Sequence, residues 1–141
     1  MLDDLGLEPA LRSLLNSQAK RAGFKVAFHA EGLQPRLPQE IETVCYRVAQ
    51  EGLTNVMRHA QATQVWLDVA LKGSRLQMVL RDDGIGFNVD AMHARAAAGR
   101  SMGMLSMTER AMLAGGDLQI NSAIGQGTAL TLTLPLVVLQ G

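Results

Sequence analysis

Apolar residues recur every three or four positions over two stretches of the chain, which predicts two amphipathic helices. The first covers residues 7–22 and ends at Gly23. The second begins at Pro38, a residue that suits the first position of a helix. Its apolar positions continue without a break, and they are Ile41, Val44, Cys45, Val48, Ala49, Leu53, Val56, Met57 and Ala60.

Alternating apolar and polar residues predict five strands, at 24–31, 64–71, 75–82, 117–123 and 127–136. The short link at Gly73-Ser74 favours an antiparallel hairpin. Residues 88–102 allow at most one short helix. A last helix is expected over 106–114, where Ser106 and Glu109 have the spacing of a capping box and Gly115-Gly116 follow as a stop.

This order of elements does not alternate single helices with strands, which disfavours a doubly wound parallel sheet. The fold class expected is α+β: a two-layer α/β sandwich with a mixed, mostly antiparallel sheet covered by helices on one face. A length of 141 residues suits a single domain with its own core.

Composition excludes several classes of function. Thirteen basic and thirteen acidic residues give a net charge of zero, so bulk charge does not favour DNA, RNA or an anionic membrane as partner. The one cysteine, Cys45, excludes an intrachain disulfide and a cysteine metal cluster. No apolar run approaches the roughly 20 residues of a membrane helix, and the N-terminus lacks signal-peptide features, so a soluble, intracellular chain is expected.

Polar residues form one strip on the long helix, opposite its apolar side: Arg47, Glu51, Thr54, Asn55 and Arg58. A solvated helix face is the ordinary interpretation of such a strip. An acid, an amide and a cation in one line also resemble a metal and phosphate site, since oxygen ligands suit Mg²⁺. The strip alone leaves both interpretations open.

Three glycine-containing segments follow the hairpin. In "RDDGIGF", Asp82 ends a strand and can accept a hydrogen bond from an exocyclic amine, while Gly84 and Gly86 let a ligand approach the backbone. A dinucleotide fingerprint would need glycine where Val89 stands, and no phosphate-binding GxxxxGK[ST] segment occurs. "GRSMGMLSMTER" places Gly99 and Gly103 before a helix, and "GQGT" is a turn; flexible loop and hairpin turn are the plain alternatives.

In order, "EGLTNVMRHA", "DDGIGF", "GRSMGMLSMTERAMLAGG" and "GQGTALTLTLP" resemble the N, G1, G2 and GT boxes of a histidine-kinase ATP-binding domain. The resemblance covers nearly the whole chain and is closest to nitrate-sensor-like kinases that signal to LuxR-type response regulators. It implies the Bergerat (GHKL) ATP-binding fold over residues 1–141, with 88–105 as the lid over the phosphates.

The resemblance also implies roles on the phosphate side of the site. Asn55 would coordinate Mg²⁺ through its amide oxygen, which explains an asparagine on a helix. Arg58 matches a basic residue that contacts phosphate, and His59 matches a neighbouring position. Glu51 would orient a Mg²⁺-bound water, and Asn55 and Glu51 are the expected catalytic pair.

On the adenine side, Asp82 would accept the adenine amino group, Gly84 and Gly86 would let the base lie close, and Thr128 would support it. Gly103 would lie in the phosphate-binding turn of the lid. Met104 stands where relatives have leucine and is counted among the nucleotide-binding residues. Ser101 replaces a glycine of that motif, which puts the contact of Gly99 in doubt.

The resemblance implies a protein histidine kinase that uses ATP and Mg²⁺, but the phosphoacceptor motif H-[DE]-x-x-x-Q is absent: His29, His59 and His93 are each followed by alanine. The chain is therefore expected to be a cytoplasmic fragment of a larger sensor, which can itself be membrane-anchored. It would not phosphorylate itself alone; its partners would be a separate dimerisation and phosphoacceptor domain and a response regulator. An anti-sigma-factor-type serine kinase and a degenerate docking domain of the same fold are the alternatives, and a gyrase-like hydrolase is disfavoured.

Overall fold

The computed structural model describes residues 6–33, 37–91, 94 and 102–136, with the backbone alone at residues 59, 60 and 102–105. Its helices are α1 (Leu7–Ala22), α2 (Gln39–Asn55) and α3 (Met102–Leu113), and a π-helical turn (Val56–Ala60) continues α2. Its strands are β1 (Lys25–Glu31), β2 (Gln64–Lys72), β3 (Arg75–Asp82), β4 (Asp117–Ser122) and β5 (Thr128–Pro135).

The strands form one sheet in the order β1-β2-β3-β5-β4. The β1–β2 pair is parallel and the other three pairs are antiparallel, so the sheet is mixed, as predicted. Helix α1 packs on β1, α2 on β3 and β5, and α3 on β4 and β5, while α2 also contacts both other helices. The predicted α+β sandwich is confirmed.

One face of the sheet is buried because its side chains alternate. In β2 the residues Val65, Leu67 and Val69 are buried, whereas the residues between them are partly or fully exposed. The helices cover this apolar face and enclose one hydrophobic core. No helix within the described ranges is long and apolar enough to span a membrane.

Cys45 lies in this core, as its place on the apolar side of α2 predicts. Its thiol is fully buried, and Sγ lies 3.4 Å from Sδ of Met78. Burial, and secondarily the charge of Glu42, raise the pKa of the thiol to about 12. The carboxyl-bearing Glu42 is itself only 1% exposed, which the periodicity of the helix did not predict.

Two boundaries differ from the sequence-based expectation. Helix α3 begins at Met102, so Ser106 lies in its second turn and the predicted Ser106–Glu109 capping box is wrong. Methionine and leucine are good helix formers, and they extend the helix by a turn despite Gly103. The long helix keeps α-geometry only to Asn55, and within the following π-turn Met57 is 37% exposed rather than buried.

Candidate functional site

Helix α2 lies directly on the sheet at Gly52. A Cβ built on Gly52 would be 2.6 Å from Cδ2 of Leu80 and 3.1 Å from Cδ1 of Leu130. Leu80 and Leu130 are cross-strand partners in β3 and β5. The absence of a side chain at Gly52 therefore lets α2 approach this pair of strands closely.

The C-terminal end of α2 and the end of β3 lie at the same edge of the sheet. Three residues separate the π-turn from β2, and the second residue of β2, Val65, pairs with Asp82 at the end of β3. Asp82 in turn pairs with Thr128. This pair lies two residues beyond the Leu80–Leu130 pair along β3 and therefore on the same face of the sheet. Asn55, one helical turn after Gly52, thus lies at the edge occupied by Asp82 and Thr128.

Asn55 carries a polar atom with no partner. Its side-chain Nδ2 is buried and makes no hydrogen bond. An unmatched buried polar group costs roughly 1–3 kcal/mol, so its place at a helix end fits a residue that binds something outside the fold. The oxygen of the same amide, rather than this nitrogen, is a suitable ligand for Mg²⁺, so the side chain has the chemistry of the predicted metal role.

The rest of the polar strip divides into exposed and half-buried members. Glu51, one turn before Asn55, is half-buried, and Arg58 is exposed in the π-turn. The hydroxyl of Thr54 donates to the carbonyl oxygen of Gln50 at 3.0 Å, so helix geometry accounts for this residue. Single π-helical turns occur frequently at functional sites, and this one directly follows Asn55.

Asp82 is 8% exposed, and its Oδ1 accepts the N–H of Gly84 at 2.8 Å. Burial raises the pKa of Asp82 above its ordinary value, while the backbone N–H groups of Gly84 and Thr128 act in the opposite direction. A carboxylate has about four lone-pair positions, so Asp82 keeps acceptor capacity for an amine.

The neighbouring Asp83 has a different environment and a different role. Its carboxylate is exposed and accepts the N–H and the hydroxyl of Thr63 and the N–H of Gln64. These bonds lower the pKa of Asp83, the opposite direction to that of Asp82. Asp83 therefore ties the start of the loop after β3 to the link between the π-turn and β2.

The loop after β3 interlocks with the turn between β4 and β5. Gly86 has a φ of 66°, and a Cβ there would be 2.1 Å from the carbonyl oxygen of Ala123. Gly127 has a φ of 75°, and a Cβ there would be 2.2 Å from the carbonyl oxygen of Asp82. The N–H of Gly125 bonds the carbonyl oxygen of Ile85 at 2.6 Å. Backbone packing alone thus requires glycine at position 86, so its glycine is not by itself a sign of a nearby base.

The predicted lid is described only at its two ends. Asn88 caps a short helical turn, since its Oδ1 accepts the N–H of Ala91 at 2.9 Å. Gly103 and Met104 lie in the first turn of α3. Gly99 and Ser101 lie outside the described residues, as do the side chains of His59 and Met104.

Two residues of this edge were missed by the sequence reasoning. Asp83 follows the candidate residue Asp82 in "DDG". Ser122 is the last residue of β4, in the segment "NSA", which matches no motif. Ser122 contacts both the loop after β3 and Thr128 through its hydroxyl. Only the pairing of β4 with β5 brings Ser122 to this edge, and no local pattern could have indicated it. In the described parts of the chain, no group of three or more His, Cys, Asp or Glu side chains could hold a metal ion.

Comparison with known proteins is consistent with this geometry. Residues 40–138 match the family described as histidine kinase-, DNA gyrase B- and HSP90-like ATPase. The oxygen sensor histidine kinase NreB of Staphylococcus carnosus (strain TM300) is 37% identical over 135 residues, which cover 96% of this chain and 38% of that protein. This chain therefore spans well under half the length of that relative.

Solved structures with much lower identity share the fold. The blue-light activated histidine kinase of Erythrobacter litoralis EL346 superposes with a TM-score of 0.73 at 22% identity, over 93% of this chain and 41% of that one. The histidine kinase domain of the same protein gives a TM-score of 0.72 at 22% identity and is covered to 59%.

Proposed function

Because the chain belongs to the histidine kinase-, DNA gyrase B- and HSP90-like ATPase family, we propose that it binds ATP with Mg²⁺ as the catalytic part of a sensor histidine kinase. In this role it delivers the γ-phosphoryl group of ATP to a histidine on a separate helical dimerisation domain. The single observation that supports the proposal is the shared edge of the sheet. There Asn55, whose side-chain Nδ2 is buried without a partner, and a buried acid, Asp82, lie at the ends of α2 and β3.

Different residues at this edge contact the base and the Mg²⁺-bound phosphates of the nucleotide. Asp82 accepts the exocyclic amine, and Thr128 supports the base from the adjacent strand. Asn55 holds Mg²⁺ by its amide oxygen, and Glu51, one turn earlier on α2, orients a water on the ion. Bound Mg²⁺ would neutralise charge on the phosphates; the chain itself supplies positioning, which is most of what phosphoryl transfer requires.

Arg58 and the first turn of α3 complete the phosphate side of the proposal. Arg58 is exposed one helical turn beyond Asn55 and adds a positive charge. The first N–H groups of any α-helix lack partners within the helix, so the turn that contains Gly103 suits an anion. His59 and Met104 remain proposed neighbours of the nucleotide, and 88–105 the proposed lid.

The proposed setting is cytoplasmic and two-component. A phosphoacceptor domain of the same sensor and a response regulator, of the LuxR type, would be the partners. Sequence similarity to an oxygen sensor histidine kinase over 96% of the chain favours this setting over an anti-sigma-factor-type serine kinase. The retained Asn55 and Asp82 favour it over a degenerate docking domain.

Calorimetric titration of ATP into this chain, with and without Mg²⁺, tests the proposal without an acceptor domain. We expect Mg²⁺-dependent binding to the wild type. Asn55→Ala should remove the Mg²⁺ dependence while leaving the unfolding midpoint unchanged or higher, because the buried Nδ2 has no internal partner to lose. Asp82→Ala should weaken ATP about tenfold to a hundredfold, since it removes a charged acceptor.

Matched controls come from the uncovered face of the sheet. Asn121→Ala and Asp68→Ala make the same substitutions at exposed positions of β4 and β2, and both should bind ATP as the wild type does. Absence of ATP binding by the wild type would refute the proposal. In the full-length sensor, autophosphorylation retained by Asn55→Ala would refute the metal role, and phosphorylation of a partner serine by this chain would favour the alternative kinase.

A further inference from the structure

The hydroxyl of Ser122 makes three contacts at the edge of the sheet that holds Asp82. Its Oγ lies 2.9 Å from the backbone nitrogen of Phe87, 2.9 Å from the carbonyl oxygen of Gly127 and 2.9 Å from Oγ1 of Thr128. Ser122 and Thr128 are cross-strand partners in β4 and β5. One hydroxyl therefore joins the loop after β3, the β4–β5 turn and the threonine beside Asp82.

Counting protons fixes the direction of each of these hydrogen bonds. A serine hydroxyl has one proton to donate and two lone pairs to accept. The N–H of Phe87 can only donate, and the carbonyl oxygen of Gly127 can only accept. Ser122 therefore gives its proton to Gly127 and accepts from Phe87. Its second lone pair is left for Thr128, whose hydroxyl must donate.

The direction of that last bond determines what Thr128 offers to a ligand. With its proton committed to Ser122, Oγ1 of Thr128 presents only lone pairs. In the β3–β5 ladder Thr128 is paired with Asp82, and its backbone N–H acts on the Asp82 carboxylate by lowering its pKa. At this edge, Asp82 and the side chain of Thr128 are thus two adjacent acceptors.

We infer that Ser122 is a positioning residue that determines base specificity. By accepting the proton of Thr128, it makes the Thr128 hydroxyl act only as an acceptor. The site then favours 6-aminopurine over 6-oxopurine nucleotides. A 6-aminopurine brings donor hydrogens to the two acceptors, directly or through a bound water. A 6-oxopurine brings a carbonyl oxygen towards these lone pairs and offers a single donor, its N1–H, so one acceptor is left unmatched. The inference rests on the proposed function, because it assumes that the base lies against Asp82.

The test compares ATP with ITP in the presence of Mg²⁺. The two nucleotides differ in the 6-amino against the 6-oxo group and, with it, in N1, which is an acceptor in adenine and a donor in hypoxanthine. Dissociation constants of both nucleotides are measured for the wild type, Ser122→Ala, Thr128→Val and the double variant. Ser122→Ala frees the Thr128 hydroxyl to donate, so we expect the ATP-to-ITP affinity ratio to fall about three- to tenfold, as for one hydrogen bond. In the Thr128→Val background, removing Ser122 should leave the ratio unchanged.

Ser122→Cys provides a second test of the inference in case Ser122→Ala does not fold. The thiol keeps the size of the side chain but is a weak acceptor, so the ratio should fall here as well. Equal loss of ATP and ITP affinity in both Ser122 variants, or an unchanged ratio, would overturn the inference and leave Ser122 a purely structural residue. A wild type that binds neither nucleotide would instead overturn the proposed function.

Discussion

The carboxylate of Asp83 holds Thr63 at both of its donor groups: Oδ1 accepts the N–H at 2.8 Å and Oδ2 accepts the hydroxyl at 2.6 Å. Oδ1 also accepts the N–H of Gln64 at 3.0 Å. Thr63 belongs to the link that follows Asn55 and the π-turn, whereas Asp83 follows Asp82. This clamp therefore connects the two segments that carry the proposed metal and base contacts.

Breaking the clamp should weaken nucleotide binding more than it affects folding. We expect Asp83→Ala to lower ATP affinity because three donors lose their acceptor, and Thr63→Val to lower it less because the N–H bonds remain. A double-mutant cycle on ATP affinity should show coupling between the two substitutions. Thr131→Val, on the uncovered face of β5, is the control. Additive effects would mean that the clamp does not position the site.

ATP affinity should decrease on acidification at a pH above the ordinary titration range of an aspartate. The cause is Asp82, whose pKa is raised by burial and which must be ionised to accept an amine. For the same reason, stability should decrease as pH rises between the unfolded and folded pKa values of Asp82, because the folded state holds the proton longer. The effect is measured by titrating ATP into the wild type and into Asp82→Asn at a series of pH values. Protonation of the nucleotide itself affects both proteins equally, so a difference between their profiles reports on Asp82. Parallel pH profiles for the two proteins would exclude this role.

Two glycines with positive φ separate backbone strain from steric conflict. Gly125 has a φ of 83° and open space around its Cβ position, so Gly125→Ala should cost only the left-handed strain, about 1–2 kcal/mol. Gly86 has a similar φ, but its Cβ would meet backbone oxygen at 2.1 Å, and backbone cannot move aside as a side chain can. We expect Gly86→Ala to be clearly more destabilising in urea unfolding. Equal losses would show that the loop after β3 and the β4–β5 turn do not interlock.

Gly52→Ala should disturb the site more than the fold. Alanine improves helix propensity by about 1 kcal/mol, but its Cβ would press on the methyl groups of Leu80 and Leu130, and such overpacking costs about 1–3 kcal/mol. The first term offsets part of the second, so the loss of unfolding free energy should be about 2 kcal/mol or less. Lifting α2 from the sheet displaces Asn55, one turn further on, and Mg²⁺-dependent ATP affinity should fall. Unchanged affinity would show that the site tolerates this displacement.

Elements with a strong period were predictable from sequence. Helix 7–22 and the hairpin strands were expected within a residue or two of their observed bounds, because apolar spacing depends on which face is buried. The fold class followed from their order. The parallel pairing of β1 with β2 is consistent with the mixed sheet, although no local pattern specifies it.

What the sequence could not predict depends on tertiary contacts. The capping-box spacing at Ser106 is a local signal, and the observed helix begins a turn earlier. The roles of Asp83 and Ser122 depend on partners 20 and 35 residues away in the chain. Glu42 is polar yet buried, against the apolar stripe expected for its helix. Motif resemblance proposed Asn55 and Asp82 as site residues, but the burial of Asp82 depends on the assembled sheet.

The burial of Cys45 allows these measurements to use site-specific labels. A thiol with a pKa of about 12 and no solvent contact is almost entirely protonated near neutrality, and maleimides or iodoacetamide cannot reach it in the native chain. Because it is the sole cysteine, a second one introduced on the surface would be the only site to take a fluorophore or spin label. Spectroscopic reporters can therefore be attached without first mutating the core.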